Sequence, residues 1–374
     1  MKNDGKKKKT FLVTGGAGFI GSHLAEALLK AGHVVLAIDD LSTGKRDNID
    51  HLLSHRSFSF ARASITDELV MDRLASVSDV IIHLAAAVGV KLIVDHPVHT
   101  IETNVIGTQA VLKAALRYRC FTLLASSSEV YGKGNGPPFA EDDDVVLGPT
   151  SKCRWAYAQS KMIDESLGLA YHREYGLDVV AFRLFNTVGP RQTDQYGMVI
   201  PSFIRQALRG QPITVYGDGS QRRCFCDVRD VVAAIMLLAE ETRYSGKVFN
   251  IGSQEETTIF GLAQQIKKLT GSPSPIHLVS YEHAYGEGFE DMAYRMPDTG
   301  RIRNHVGWRP RYRLIEILER TIEYERHRIP AAAAIGQDTR VASMRCRGDA
   351  KPLPPGVRMP GVSRSEARRF VPAS

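Results

Sequence analysis

The sequence lacks a long hydrophobic run and has few cysteines, and both absences narrow its class. No apolar stretch of the 374 residues approaches the roughly 20 that a membrane-spanning helix requires. Residues 1–9 are polar and rich in lysine with no apolar segment behind them, which is not typical of a secretory signal. The five cysteines are scattered, and the spacing of Cys224 and Cys226 suits neither a zinc site nor a redox pair. We therefore expect a cytoplasmic protein without a membrane span or a metal.

The sequence also lacks a basic body, although its formal net charge is +7. Residues 1–9 contribute +4 and residues 329–374 contribute +5, so the segment between them carries −2. A near-neutral body argues against nucleic acid as a partner. Residues 329–374 have few large apolar side chains and are rich in Ala, Pro, Arg and Ser, which predicts a disordered basic tail.

What the sequence does contain is a glycine-rich turn between a predicted strand and a predicted helix. Gly15, Gly18 and Gly21 follow an apolar run and precede the helical pattern of residues 22–31. Glycines at this spacing permit a tight turn, a close approach of the backbone to a pyrophosphate, and close packing of helix on strand. A second apolar run ends in Asp39, and an acid there suits the ribose hydroxyls of adenosine and favours NAD over NADP.

Predicted strands and helices continue to alternate along the chain. Residues 80–86, 121–125 and 178–185 are strand patterns, separated by helical patterns over 100–119 and 154–175. Alternation of this kind predicts an α/β fold with a parallel, doubly wound sheet. After residue 185 the pattern loosens into shorter elements, ending with a helix over 314–328.

One stretch, residues 125–161, carries groups suited to proton transfer. Tyr157 and Lys161 are four residues apart, so on a helix they lie on one face. A nearby ammonium favours the phenolate and lowers the pKa of a tyrosine. A tyrosine of this kind can take the proton of a substrate hydroxyl. The hydroxyl of Ser127, at the end of the preceding strand, can hydrogen-bond the oxygen of that substrate hydroxyl. A Y-x-x-x-K pair alone also occurs on exposed helices by chance, and the glycine turn is what makes the catalytic interpretation stronger.

Together these motifs resemble the extended short-chain dehydrogenase/reductase superfamily of nucleotide-sugar epimerases, dehydratases and decarboxylases, over roughly residues 10–328. The resemblance implies a Rossmann-type NAD-binding domain over 10–187, rejoined by 227–262, and a smaller α/β domain that binds the nucleotide sugar over 188–226 and 263–328. It also implies a homodimer formed by the helices around 100–119 and 154–175. The residues that it assigns to NAD are Gly15, Gly18, Phe19, Ile20, Gly21, Asp39, Ile65, Leu84, Ala85, Ala86, Asn104, Tyr157 and Lys161.

The same resemblance assigns the catalytic and substrate groups. It implies that Tyr157 takes the C4 hydroxyl proton of a UDP-sugar and that NAD takes the hydride, which gives a 4-keto sugar. Lys161 is implied to hold the nicotinamide ribose and to lower the pKa of Tyr157. The substrate residues that it implies are Ser127, Ser128, Asn186, Tyr216, Arg223 and Arg295. Glu129 in the segment 126–132 matches the catalytic glutamate of UDP-glucuronate decarboxylases, and Arg295 matches an arginine that assists their decarboxylation.

Several alternatives remain open at this stage. The segment 208–221 and the Arg295 region resemble decarboxylases, whereas residues 189–192 are shared with many 4-epimerases. Arg295 also fits a plain diphosphate clamp, Glu129 also fits a backbone cap, and Arg154 also fits a surface position on its helix. A 4,6-dehydratase usually has an aspartate where this chain has Ser128. An inactive NAD-binding scaffold is the alternative that is not an enzyme. We predict a UDP-glucuronate decarboxylase giving a UDP-pentose, with a UDP-sugar 4-epimerase as the alternative.

Overall fold

The computed structural model describes residues 8–134, 136–193, 198–280, 292 and 294–328. Its strands are β1 (Thr10–Thr14), β2 (Val34–Ile38), β3 (Phe58–Ala61), β4 (Val80–His83), β5 (Phe121–Ser127), β6 (Val179–Leu184), β7 (Thr187–Val188), β8 (Ile213–Tyr216), β9 (Arg222–Cys224), β10 (Cys226–Asp227), β11 (Val248–Ile251), β12 (Glu256–Thr258), β13 (Ile276–Val279) and β14 (Tyr294–Arg295). Its helices are α1 (Phe19–Lys30), α2 (Glu68–Ala75), α3 (Val90–Asp95), α4 (Pro97–Ile101), α5 (Gly107–Tyr118), α6 (Ala156–Tyr175), α7 (Val199–Leu208), α8 (Val228–Leu238), α9 (Ile259–Thr270), α10 (Gly300–Val306) and α11 (Leu314–Arg328).

Seven parallel strands form the main sheet in the order β11-β6-β5-β4-β1-β2-β3. The order reverses direction between β1 and β4, which is the arrangement of a Rossmann-type, doubly wound sheet. Side chains alternate between its faces: Phe11 and Val13 join one buried cluster with α1 and α8, whereas Leu12 joins another with α2 and α5. Burial on both faces explains why the strands are almost continuously apolar. The predicted fold class is confirmed.

The turn after β1 needs its glycines for steric reasons. Gly15 has φ +66°, a backbone conformation that residues with a Cβ rarely adopt. A Cβ on Gly21 would lie 2.1 Å from the Gly15 carbonyl oxygen, so α1 begins this close to β1 only because both residues are glycine. The amino-terminal end of α1 therefore faces the carboxyl ends of β1 and β4, where backbone donors are free to bind an anion.

A separate hydrophobic cluster lies in the carboxy-terminal half of the described residues. It is built from α7, α9 and α11 against β8 and β13, and includes Phe203, Leu262 and Leu318. Two short segments, β9 and β14, pair in parallel beside it, with β12 antiparallel on the other side of β9. All described residues belong to one compact unit, so the division into the two predicted domains stays a prediction.

The predicted long elements are present with shifted ends, and some short ones were missed. The predicted helix over 100–119 is instead α4, a π-helical turn over 102–106 and α5. Short strand β3 and helix α2 were not predicted. The tail 329–374, most of the basic segment 1–9, and residues 281–291 of the Arg295 region lie outside the described residues. Among the residues described, no helix is long and apolar enough to cross a membrane.

Candidate active site

The catalytic pair predicted from the sequence lies on one face of α6 and is buried. Tyr157 is 7% exposed and Lys161 is 2% exposed. The Tyr157 hydroxyl hydrogen-bonds the side chain of Ser127, at the end of β5. Because β5 is a central strand of the sheet, it holds Ser127 rigidly against the helix. The structure thus brings together Tyr157 and Ser127, the two groups that were expected to act on one substrate oxygen.

Beyond Ser127 the chain turns sharply and buries an acid. Residues 128–131 form a 3-10 turn in which the Glu129 amide donates to the Ser127 hydroxyl at 3.2 Å. The turn directs the Glu129 carboxylate inward, where its side chain is 11% exposed. Ser128 is buried in the same turn. The Glu129 carboxylate lies close enough to Tyr157 to affect its titration, and among the described residues it accepts hydrogen bonds from side chains and not from a backbone amide.

Two arginines from distant parts of the chain hold the Glu129 carboxylate. Arg154 donates from Nη1 to Glu129 Oε2, and Arg295 donates from Nη2 to Oε1 at 2.6 Å. Their side chains are 3% and 12% exposed. The possibility that Arg154 lies on the surface is wrong, because the turn over 153–155 before α6 points its side chain inward. The result is a buried cluster of one acid and two cations, named here the Arg–Glu–Arg cluster.

The Arg–Glu–Arg cluster fixes the protonation state of its acid. Burial raises the pKa of Glu129, but Arg295 and Arg154 outweigh it and hold that pKa at about 2. Glu129 is therefore a carboxylate throughout the neutral range in this structure. A group with this pKa is a weak proton donor at neutral pH.

Tyr157 also differs from the expectation. Burial, followed by the Glu129 carboxylate, raises its pKa above the ordinary value of a tyrosine, and the hydrogen bond to Ser127 lowers it by less. The Lys161 ammonium donates to Asp164 Oδ2 at 2.8 Å. The Tyr157 pKa is thus raised, contrary to the lowered pKa that the spacing predicted.

A basic strip extends from the Arg–Glu–Arg cluster along the short strands. Arg295 on β14 and Arg223 on β9 are register partners in this parallel pair, and Arg223 is buried. Asn186 donates from Nδ2 to the Cys224 carbonyl at 2.9 Å and has φ +29°. A positive φ on a residue other than glycine stores strain and is found preferentially at functional sites. Tyr216, at the end of β8, is partly exposed.

A cavity beside the glycine turn matches the predicted cofactor residues. Its lining includes Gly15, Asp39, Ile65, Ala85 and Ala86. A Cβ on Gly15 would lie 2.9 Å from the Ala85 amide nitrogen, so the two strand ends can meet only at a glycine. Phe19 and Ile20 form the first turn of α1, and the Leu84 amide donates to the Thr14 hydroxyl at the end of β1.

Asp39 sits where a ribose diol needs an acceptor. Its Oδ2 accepts from the Ala17 amide at 3.0 Å and its Oδ1 from the Leu41 amide at 2.8 Å. These bonds fix the carboxylate in place, and each oxygen retains a lone pair for a hydroxyl. Burial raises the pKa of Asp39 while the two amide bonds oppose the shift. The cradle of glycines, helix terminus and acid fits a dinucleotide.

Comparison of the sequence with known proteins identifies the family of this chain. The NAD dependent epimerase/dehydratase family model matches residues 11–252. The chain belongs to this family. It is 44% identical over 320 residues to a UDP-N-acetyl-alpha-D-glucosaminuronate decarboxylase of Bacillus cytotoxicus, covering 85% of this chain and 98% of that relative. It is also 37% identical to UDP-glucuronic acid decarboxylase 1 of Danio rerio, covering 85% of this chain and 73% of the relative.

A solved structure of similar fold extends the comparison. This epimerase/dehydratase family member superimposes on the UDP-glucuronic acid 4-epimerase of Bacillus cereus in complex with UDP-glucuronic acid and NAD, with a TM-score of 0.77 and 28% identity, over 85% of this chain and 99% of the other. The predicted cofactor, NAD, is thereby confirmed, and the chain is an NAD-dependent nucleotide-sugar enzyme.

Asn104, a predicted cofactor contact, makes hydrogen bonds inside the protein. Asn104 is fully buried, with Oδ1 accepting from the Ala87 amide at 2.8 Å and Nδ2 donating to Ser160 Oγ at 2.9 Å. Its amide is thus used by protein groups at both ends, and it ties the loop after β4 to α6. Asn104 is not among the residues that line the cavity beside the glycine turn, and its contact with NAD stays a prediction.

Sequence reasoning missed two buried charged residues of the site, Arg154 and Asp164. Each is a single charged residue on a helix or its leading turn, where solvent exposure is the usual outcome. The signal that could have indicated Arg154 was its position three residues before Tyr157, because residues at this spacing lie on the same side of a helix. No group of three or more metal-ligating side chains occurs among the described residues.

Proposed function

We propose that this enzyme oxidises C4 of a UDP-linked uronate and removes its C6 carboxylate as CO2, giving a UDP-pentose. The observation that carries the proposal is the buried Arg–Glu–Arg cluster beside Tyr157 and Ser127. Two guanidinium groups and one carboxylate leave a net charge of +1 at this point. A buried cation stabilises the binding of a sugar that carries a carboxylate and does not stabilise the binding of a neutral hexose.

The order of events follows from the residues present. NAD, when bound, supplies the two-electron oxidation of C4 and its later reversal. Tyr157 loses its own proton first, and its phenolate then receives the proton of the C4 hydroxyl while Ser127 holds the same oxygen by a hydrogen bond. The 4-keto group that results is β to the C6 carboxylate, so the C5–C6 bond can break with its electron pair delocalised onto the ketone oxygen.

Arg295 is the residue best placed to bind the substrate carboxylate. Its Nε is buried and has no hydrogen-bond partner among the described residues, whereas its Nη2 is used by Glu129. Glu129 remains ionised, and a fixed negative charge beside the substrate carboxylate favours its departure as neutral CO2. Arg223 on the neighbouring strand and Asn186 are proposed to hold the diphosphate, and Tyr216 to lie near the base.

The names of the relatives support the carboxylate-bearing substrate. A relative 44% identical to this chain is a decarboxylase of an N-acetylated uronate, and one 37% identical is a decarboxylase of UDP-glucuronate. We propose UDP-glucuronate first, and UDP-N-acetylglucosaminuronate as the second substrate to test. Both present the same carboxylate to Arg295 and differ only at C2.

The alternative function is 4-epimerisation of a UDP-sugar. It is favoured by the similarity to a 4-epimerase structure that holds UDP-glucuronic acid and NAD. The Tyr157–Ser127 site would serve either reaction, because both begin with oxidation at C4. The difference lies in whether the 4-keto uronate loses CO2 before C4 is reduced again.

Assembly and location are also part of the proposal. Three apolar residues along α4 to α6, namely Ile101, Ile106 and Ile163, are 42%, 51% and 48% exposed. Exposed apolar side chains along adjacent helices support burial against a second copy, and we propose a homodimer formed by these helices. A cytoplasmic location and the two-domain division stay predictions.

The test is mass spectrometry of the nucleotide sugar after incubation of purified protein with NAD and each uronate in turn. The expected product has lost the mass of CO2 and is a UDP-pentose or UDP-4-keto-pentose. Unchanged mass with an inverted C4, seen by proton NMR, would replace the decarboxylase with the epimerase. Unchanged substrate with both uronates would remove the proposal.

A further inference from the structure

Lys161 has an ionised partner to which the proposed reaction assigns no task. Asp164 follows it by one turn on α6, and Lys161 Nζ donates to Asp164 Oδ2 at 2.8 Å. Each side chain is 3% exposed. A charged group at this depth is stable only when an opposite charge or several hydrogen bonds compensate it. Lysine and aspartate therefore depend on each other for their burial.

The second oxygen of Asp164 shows that this pair is not a general structural brace. Asp164 Oδ1 is buried and has no hydrogen-bond partner among the described residues. By contrast, the adjacent acid Glu165 uses both oxygens on Arg183, which also donates to the Glu141 carbonyl. A buried brace is normally satisfied as Glu165 is. Within the described part of the chain, the Asp164 carboxylate makes one hydrogen bond, from the Lys161 ammonium.

The other charged groups around the pair do not duplicate this contact. His83 on β4 is influenced by Lys161, but burial and that ammonium lower its pKa to about 3, so the imidazole is neutral. Tyr157 is influenced by Glu129, Asp164 and Arg295. Glu129 is already shared by two arginines, which leaves Asp164 as the carboxylate that offsets the charge of Lys161.

We propose that Asp164 is a positioning residue that holds the Lys161 ammonium on the Tyr157 face of α6 and offsets its charge, thereby limiting how readily Tyr157 releases its proton. This inference rests on the proposed roles of Tyr157 and Lys161. The Asp164 carboxylate also acts on Tyr157 directly, since it is among the groups that raise the Tyr157 pKa, after burial and Glu129. Without the aspartate, the ammonium would act on Tyr157 with its full charge.

The first test is Asp164→Asn, which keeps the shape and an acceptor oxygen and removes the charge. Tyrosines labelled with carbon-13 at Cζ report phenolate formation by NMR in the cofactor-free protein, and Tyr157→Phe identifies the resonance. We expect the Tyr157 phenolate to form at lower pH in Asp164→Asn, by about one unit, the lower end of the effect of a neighbouring charge. In the NAD-loaded enzyme the acid limb of kcat is expected to move in the same direction.

The matched control is Glu325→Gln, which removes the charge of a buried carboxylate from the Arg205 pair in the carboxy-terminal cluster. It is expected to lower thermal stability and leave the Tyr157 resonance in place. If Asp164→Asn does the same, with Tyr157 unmoved, Asp164 is only structural and the proposal is overturned. If Asp164→Asn does not fold, Asp164→Glu keeps the charge and displaces it, and an unmoved Tyr157 resonance in that variant overturns the proposal.

The NMR readout needs no substrate and is independent of the reaction. A protein that releases no CO2 from either uronate but shows the shifted Tyr157 titration would refute the proposed function and leave this inference standing. A protein that releases CO2 but shows an unmoved Tyr157 titration in Asp164→Asn would support the proposed function and overturn this inference.

Discussion

Replacement of Arg154 by methionine is the perturbation that probes the Arg–Glu–Arg cluster most selectively. Methionine keeps much of the apolar stem that packs beside Trp155, whose ring centroid is 5.7 Å from the guanidinium. The change removes the cation on Glu129 Oε2 and leaves Arg295 on Oε1 at 2.6 Å. Glu129 thus stays paired on one side only.

The size of the effect on stability follows from burial. Removing one partner of a buried ion pair costs about 3–5 kcal/mol, and the lower end applies here because the second arginine remains. With an unfolding entropy of about 2.1 cal/mol/K per residue over roughly 300 residues, a loss of about 3 kcal/mol lowers Tm by about 5 °C. The pKa of Glu129 should rise, since one of the two cations that hold it down is gone.

The effect on turnover is expected to be larger than stability alone explains. We predict that Arg154→Met lowers kcat for CO2 release by about 10- to 100-fold, equivalent to about 1.4–2.7 kcal/mol of transition-state stabilisation. Arg154→Lys, which keeps a positive charge, should recover part of that loss. The assay combines differential scanning calorimetry with product quantification below the unfolding temperature of both variants.

Arg205→Met is the matched control for this prediction. Arg205 binds the buried Glu325 through two hydrogen bonds of 2.7 and 3.2 Å, in the cluster formed by α7, α9 and α11. Its replacement should cost comparable stability and leave kcat nearly unchanged. Equal losses of Tm in the two variants with equal, small losses of kcat would refute a role for Arg154 in the site.

Three further predictions follow from the described contacts. Tyr157→Phe should abolish turnover and retain NAD binding, measured by fluorescence titration, and undiminished turnover would contradict the proton transfer proposed for Tyr157. Gly21→Ala places a Cβ 2.1 Å from the Gly15 carbonyl oxygen, so NAD affinity should fall by at least tenfold, about 1.4 kcal/mol, whereas Gly32→Ala, with open space around the Cβ, should lose stability only. His83 has its pKa lowered to about 3, so its contribution to stability is complete above its ordinary pKa and is lost as pH falls from there towards 3, at up to about 1.4 kcal/mol per pH unit. His83→Gln should therefore flatten the pH dependence of unfolding between pH 6.5 and 4 in denaturant titrations, and an unchanged slope would exclude this histidine as the cause.

The sequence predicted the parts of the fold that depend on local pattern. The glycine turn after β1, the acid at Asp39, and the helix that carries Tyr157 and Lys161 each have a short-range signature, because steric limits and helical period act between near neighbours. Strand order in the sheet then follows from alternation and the strong preference for right-handed crossovers.

The parts that were missed depend on contacts between distant residues. Glu129 and Arg295 are 166 positions apart and meet only because the two-residue strand β14 pairs with β9, and strands this short have no readable pattern. Asp164 looked like an ordinary polar position, since hydropathy expects charged residues outside. The face of α6 that carries Tyr157, Lys161 and Asp164 is buried although these side chains are polar or charged. Analysis of helix amphipathicity therefore predicts the wrong exposure for this face.

The raised pKa of Tyr157 was also beyond sequence reasoning. The spacing of Tyr157 and Lys161 correctly indicates their proximity, but the sign of the shift depends on desolvation and on the carboxylates of Glu129 and Asp164. Desolvation and the influence of these carboxylates depend on burial, which is set by the packing of α6 against β5 and β6. The direction of a pKa shift therefore requires the three-dimensional structure even when the residues themselves are correctly identified.

The measurement that tests the central claim most directly is carbon-13 NMR of UDP-glucuronate labelled at C6, incubated with the NAD-loaded protein. The proposed decarboxylation predicts that the carboxylate signal is replaced by labelled CO2 and bicarbonate while a UDP-pentose accumulates, and that the signal persists in Tyr157→Phe. Retention of the label in the sugar, with C4 inverted or unchanged, would contradict the account.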